Sequence, residues 1–170
     1  MHFTTEPKDM KSIINLRNLE FVEHRHGEQY QAETAAVANK IGADKLGFRV
    51  TRLPPGKAAW PFHAHYANEE MFYILAGHGE LRFGKERHAI EAGDFISAPA
   101  DPTNGHQILN TSASTLEYIC VSTMISPEVA IFPESGKLSV FANGAPGRTE
   151  DNTLVKHFAN DQDQPYWTGE

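Results

Sequence analysis

From residue 46 onward the chain alternates short apolar runs with turn-forming residues. "LGFRVTRL", "EMFYILAG", "GELRF", "HAI", "DFISAP", "HQILN" and "TLEYICVSTM" are rich in β-branched and aromatic residues. "PPGK", "YANE", "GHG", "FGKE", "EAGD", "PADPTNG" and "NTSAS" separate them. Many short extended segments with glycine, proline, asparagine or aspartate between them indicate an all-β sandwich or barrel. "FGKE" reads as a tight hairpin turn. No helical segment alternates with the runs, which disfavours a parallel α/β sheet. After Ser126, "SPEVAIFPESGKLSVF" is read as two further short strands. The acidic segment from Thr149, with its aromatic "PYW", reads equally as a solvated tail or as a strap over the barrel.

The first 45 residues read as irregular structure. Within them "QAETAAVANKIG" is read as a short helix ended by Gly42. The 170 residues suit one domain with its own core, and 40% apolar with 22% charged residues is a globular composition. The formal net charge of -7 repels phosphate backbones and anionic membrane surfaces, so neither nucleic acid nor membrane is an expected partner. The single cysteine, Cys120, excludes an internal disulfide and is expected to be a buried, inert thiol. No apolar signal region opens the chain, and "MFYILA" is too short to span a bilayer. A cytoplasmic protein is the expectation.

The stretch "GKAAWPFHAHYANEEMFYILAGHGE", residues 56–80, carries the chemistry. Residues two apart in a strand share a face, so His63 and His65 point the same way if "PFHAH" is extended. "YANE" then turns the chain back beside them. In "EEMFYILAG", Glu70, Phe72 and Ile74 lie on one face and Glu69, Met71, Tyr73 and Leu75 on the other. Both faces are apolar beyond the glutamates, so alternation says only that one glutamate points inward. If the loop after Pro99 returns the chain inward, His106 can join them.

The spacing Gly56-x6-His63-x-His65-x4-Glu70-x6-Gly77 resembles the first motif of the cupins, with one extra residue before the first histidine. Gly93-x5-Pro99 followed by His106-x3-Asn110 resembles the second motif, after a spacer of residues 78–92. "WPFHAHYANEEMF" and "PESGK" resemble small single-domain bacterial cupins loosely grouped as sugar-phosphate-isomerase-like. The resemblance covers about residues 46–125. It implies a small antiparallel jelly-roll barrel at 46–125, an N-terminal extension at 1–45 packing on or pairing with it, and C-terminal strands and a tail at 126–170, one domain overall. It also selects Glu70 over Glu69 and implies His63, His65, Glu70 and His106 as ligands of one divalent transition metal ion: Zn, Fe, Mn, Ni or Co. The loop "PADPTNGH" departs from the pattern, being two residues longer, with its glycine directly before the histidine.

Other candidates read as structural. The "HRH" pair, His24 and His26, lacks a following glutamate, and His78 and His88 lie among turns or charges. His2 and His157 are near the ends. Trp60, Phe62, Tyr73, Phe83 and Tyr118 are expected in core or inter-subunit packing, and Asn110 either orients a ligand or caps a turn. Arg49, Arg52, Lys57 and Arg82 are the cations near the site, and none is assigned a role. The implied function is a metal-dependent enzyme, of isomerase or dioxygenase type, acting on a small oxygen-rich molecule. The alternative is a non-catalytic sugar-like ligand-binding or sensor module. Exposed edges of a small barrel suggest a homodimer.

Overall fold

The computed structural model describes residues 12–147, 151–159, 161 and 164–169; His2 lies outside them. In chain order the strands are β1 (Val22–His26), β2 (Tyr30–Ala36), β3 (Leu46–Leu53), β4 (Ala64–His65), β5 (Glu70–Ala76), β6 (His78–Phe83) and β7 (Glu86–Glu91). They continue with β8 (Phe95–Ala98), β9 (His106–Leu109), β10 (Leu116–Thr123), β11 (Glu128–Phe132), β12 (Lys137–Ala142) and β13 (Leu154–Ala159). No α-helix occurs among the described residues. Three antiparallel sheets form, in the orders β1-β2-β3-β10-β5-β8, β13-β12-β11-β4 and β7-β6-β9. This is the expected jelly-roll architecture, although the hydrogen-bonded sheets do not close into a ring.

Alternation along the strands builds the core. Leu53, Phe72, Ile74, Ile96, Leu116 and Tyr118 come from the large sheet, and Leu81, Ile90 and Ile108 from the three-stranded one. They form one buried cluster. Along β8 the pattern is strict: Ile96 and Ala98 are buried, while Phe95 and Ser97 are exposed. Residues 84 and 85 make the two-residue turn between β6 and β7 that "FGKE" predicts. Gly77, between β5 and β6, has φ of +85°, and a Cβ there would come within 2.6 Å of the Thr115 carbonyl oxygen. Only glycine fits that turn.

Two expectations fail, and an open alternative narrows. The N-terminal segment is not irregular, because β1 and β2 extend the large sheet. Nor does "QAETAAVANKIG" form a helix: it is strand to Ala36, then a single 3-10 turn at Ala38–Lys40. Its alanines suggested a helix, but Ala32 and Ala35 are nearly fully buried, where small side chains let β2 pack closely. Sheet pairing therefore overrides local propensity. Of the two readings left open for the C-terminal segment, the solvated tail does not hold over 154–159, where β13 pairs along all of β12.

Gly105 is a second point of close approach. A Cβ on it would lie 2.5 Å from Cε1 of Phe62, a buried ring. Gly105→Ala must displace that ring, and overpacking of this kind costs about 1–3 kcal/mol. Urea denaturation should show that loss, and an unchanged midpoint would refute the packing account.

Candidate metal centre

His63 and His65 sit on a short extended segment held from two sides. Ala64 and His65 pair with Ile131 and Ala130 of β11, while His63 exchanges two backbone hydrogen bonds with His106. The His63 N–H donates to the His106 carbonyl at 3.2 Å, and the His106 N–H donates back at 2.7 Å. Backbone pairing thus fixes three histidines in one place. Their rings lie 4.7–6.1 Å apart between centroids.

The long loop before His106 is braced internally. Asp101 Oδ1 accepts from the Thr103 backbone N–H at 2.8 Å and its hydroxyl at 2.7 Å, and Oδ2 accepts from Asn104 Nδ2 at 2.9 Å. The Gly84 N–H donates to the Gly105 carbonyl at 2.8 Å. The extra residues are taken up in this turn, and the chain re-enters β9 with His106 facing His63.

Alternation on β5 now resolves the two glutamates. Glu70 shares the inward face with Phe72 and Ile74, while Glu69 is exposed. Glu70 Oε2 accepts a hydrogen bond from His106 Nε2 at 2.9 Å and lies 3.6 Å from His65 Nε2. One donor atom from each of His63, His65, Glu70 and His106 falls within a 4.8 Å cluster.

The donor set fits a divalent transition ion. His63 Nδ1 is 2.8 Å from the Pro61 carbonyl oxygen, so it carries the proton and leaves Nε2 as a lone-pair donor. Both ring nitrogens of His65 are buried without a hydrogen-bond partner. A native polar atom left so needs a partner, and an ion among the four side chains supplies one. Three imidazoles and one carboxylate suit zinc, iron, manganese, nickel or cobalt.

Electrostatics prepare the site. Burial, aided by charge on His106, pushes His63 down to about 4 against the pull of Glu70, so it is neutral at physiological pH. Burial also works against charge on His65, but the carboxylates of Glu70 and Glu128 outweigh it and raise its pKa. Burial opposes ionisation of Glu70 too, yet contacts with His106 and His65 hold it well below the usual carboxylate range.

Sequence reading missed Glu128, which is 1% exposed at the start of β11. Its carboxylate accepts from the backbone N–H groups of Tyr66, Ala67 and Asn68 at 3.1, 3.3 and 2.6 Å, and from the Asn68 side-chain amide. Oε2 also lies 3.8 Å from His65 Nδ1. Asn68 returns the tie: its Oδ1 accepts from the Ile125 N–H at 2.7 Å and the Thr123 hydroxyl at 3.0 Å. The loop joining His65 to Glu70 is thus moulded around one buried carboxylate. A lone acid amid "SPEVAIF" was the available signal.

A cavity of about 440 Å³ opens on the cluster, lined by His63, His65 and Glu70, with Arg49, Trp60 and Lys137 among its other walls. Cys120 lines it as well, and burial raises its thiol pKa well above the ordinary value. His157 borders it and shares a 2.7 Å hydrogen bond with Ser139, although its place near the C-terminus had promised nothing. His24, His26, His78 and His88 are exposed, as expected. Phe62 and Tyr118 are buried, whereas Trp60 is 40% exposed on the cavity wall. Asn110 caps a turn: its Nδ2 donates to the Leu53 and Ser114 carbonyls, and its Oδ1 accepts from Ser112.

Residues 49–122 match the cupin domain family. The chain carries a cupin domain. It is 37% identical over 60 residues to an uncharacterized protein of Methanocaldococcus jannaschii, a match spanning 35% of this chain and 46% of that protein, under half the relative's length. It is 28% identical over 108 residues to an oxalate-binding protein of Thermotoga maritima, covering 62% of this chain and 87% of the relative. A solved structure from Acidithiobacillus ferrooxidans, provisionally a sugar phosphate isomerase, superposes with a TM-score of 0.79 at 19% identity, over 91% of this chain and 96% of that one. The shared fold therefore extends beyond the matched cupin segment to the flanking strands.

Glu128→Gln replaces half of the acceptor carboxylate by a donor amide facing donor N–H groups. Metal affinity should fall about 10–100-fold, as for other partners of metal-binding histidines. Competition with a chromogenic chelator measures it, and an affinity within twofold of wild type would separate Glu128 from the centre.

Proposed function

We propose that this cupin is a mononuclear metal protein, with His63, His65, Glu70 and His106 as ligands, that acts on a small oxygen-rich metabolite. One observation carries the reading: His65, buried beside Glu70 and His106, has no hydrogen-bond partner for either ring nitrogen. A cytoplasmic setting and a small-molecule substrate belong to the same proposal. A bound ion supplies Lewis-acid polarisation of a carbonyl or hydroxyl oxygen, or, if iron or manganese, one-electron chemistry with dioxygen. The protein's part is positional. Pro61 fixes the tautomer of His63, Glu128 holds the loop behind His65, and Phe72 and Tyr118 shield the buried side of the cluster from water.

Isomerase-type and dioxygenase-type chemistry both suit this arrangement. The shared fold with the Acidithiobacillus protein supports the first only by analogy. A second reading, binding without turnover, is favoured by the oxalate-binding Thermotoga relative. Elemental analysis should find about one ion per chain in wild type and a large loss in His106→Ala; unchanged metal content in the variant would remove His106 from the ligand set. Oxygen uptake and carbonyl-isomerisation assays over chelating substrates then separate the readings. Flat traces with a ligand-induced rise in Tm would favour binding.

A homodimer is part of the proposal. Strand β8 ends the large sheet, and Phe95, 75% exposed, packs its ring 4.5 Å from Tyr73 beside exposed Met71. A second copy on this apolar edge would cover all three. Light scattering should give a dimer at micromolar concentration and a monomer for Phe95→Lys; a monomeric wild type would end this idea.

A further inference from the structure

The cations near the site differ in what they already do. Arg52 donates to Glu117 at 2.8 Å on the outer face, stacked over Phe21. Arg82 is held by Gln107 and Glu134. Lys57 donates to the Glu28 carbonyl at the surface. Arg49 alone of the four lines the metal cavity, and among the described residues no carboxylate pairs with it.

Its placement follows from register. Arg49 stands opposite Cys120, and Cys120 opposite Phe72, on the same inward face of adjacent strands. Glu70 lies two residues before Phe72 on that face, and Cys120 Sγ is 3.5 Å from Glu70 Oε1. Adjacent strands are about 4.8 Å apart, so Arg49 projects into the cavity roughly two strands from the cluster. The guanidinium lies over Trp60, 5.5 Å from its centroid, and a Cβ on Gly147 would come within 2.4 Å of Nη2. The ring on one side and a glycine on the other leave the fork in place. Lys137 adds a second cation, stacked 4.5 Å over Phe132, whose ring in turn stacks on His63.

A half-buried cation with no counter-charge among the described residues is costly unless an anion arrives to pair with it. We infer that Arg49 anchors the carboxylate or phosphate of a small ligand whose remaining hydroxyl or carbonyl oxygens face His63, His65, Glu70 and His106. The cavity volume suits such a metabolite. The inference deepens the metal-site reading and rests on it.

Calorimetry on metal-loaded protein tests it with malate as carboxylate probe, glycerol 3-phosphate as phosphate probe and erythritol as neutral polyol. One or both anions should bind at least tenfold tighter than erythritol, and less tightly as salt rises. Which anion wins identifies the group. Arg49→Met should keep full metal content yet lose at least tenfold in affinity for that anion, Arg49→Lys should recover part of it, and Arg52→Met should behave as wild type. Equal affinities for anions and erythritol in wild type overturn the inference without any variant, as does wild-type anion binding by metal-replete Arg49→Met. Substoichiometric metal in wild type is a different failure, that of the metal site itself.

Discussion

The site depends on one buried carboxylate, Glu128, that backbone donors hold 3.8 Å from His65 Nδ1. Three consecutive backbone N–H groups and an amide side chain point at the Glu128 carboxylate inside the protein. An ion removed from water is tolerated only when donors replace its hydration. Those donors belong to residues 66–68, so satisfying Glu128 and shaping the loop between His65 and Glu70 are one event. The distance between two metal-type donors on that loop is then set by a strand, β11, that lies outside the matched cupin segment.

The sheets supply the other half of the geometry. Inward-facing positions on β3, β10 and β5 fall in register, so Arg49, Cys120 and Phe72 form one row and Glu70 the next. Moving along a row trades apolar core for polar cavity. Leu53, Leu116 and Ile74 close one end of the sandwich, and the cluster occupies the other. A jelly-roll suits this division because its packed end supplies rigidity while its open end carries chemistry.

Much of this was legible in the sequence from residue 46 on. Runs such as "LGFRVTRL" became β3 with its predicted extent, because turn residues bounded them on both sides. The cluster of four was legible through motif spacing; periodicity alone left Glu69 and Glu70 equivalent, since Met71 and Tyr73 make the outer face of β5 apolar too. That outer face is half-exposed, which hydrophobicity does not encode. What escaped was set by distant pairing. Strand β2 is alanine-rich, and only its neighbours β1 and β3 make it extended. Glu128, Lys137 and His157 reach the site from 58 or more residues beyond Glu70 in the chain, and no local pattern joins them to it.

The same geometry explains why the site should want an occupant. The His106 Nε2 proton bridges to Glu70, and both His65 ring nitrogens lie in the interior with no hydrogen-bond partner among the described residues. Each such buried polar atom costs about 1–3 kcal/mol. Glu70, held low, contributes stability above the ordinary carboxylate range and loses it as pH falls; His65, held high, contributes below its own range and loses it as pH rises. The two contributions overlap between the ordinary carboxylate and imidazole ranges, on the acid side of neutrality, and oppose each other outside it. A divalent ion ends the conflict, since it satisfies the imidazoles as neutral donors and the carboxylate as an anion together. Binding energy is then folding energy by mass action, and the centre that carries the chemistry also completes the core beneath it.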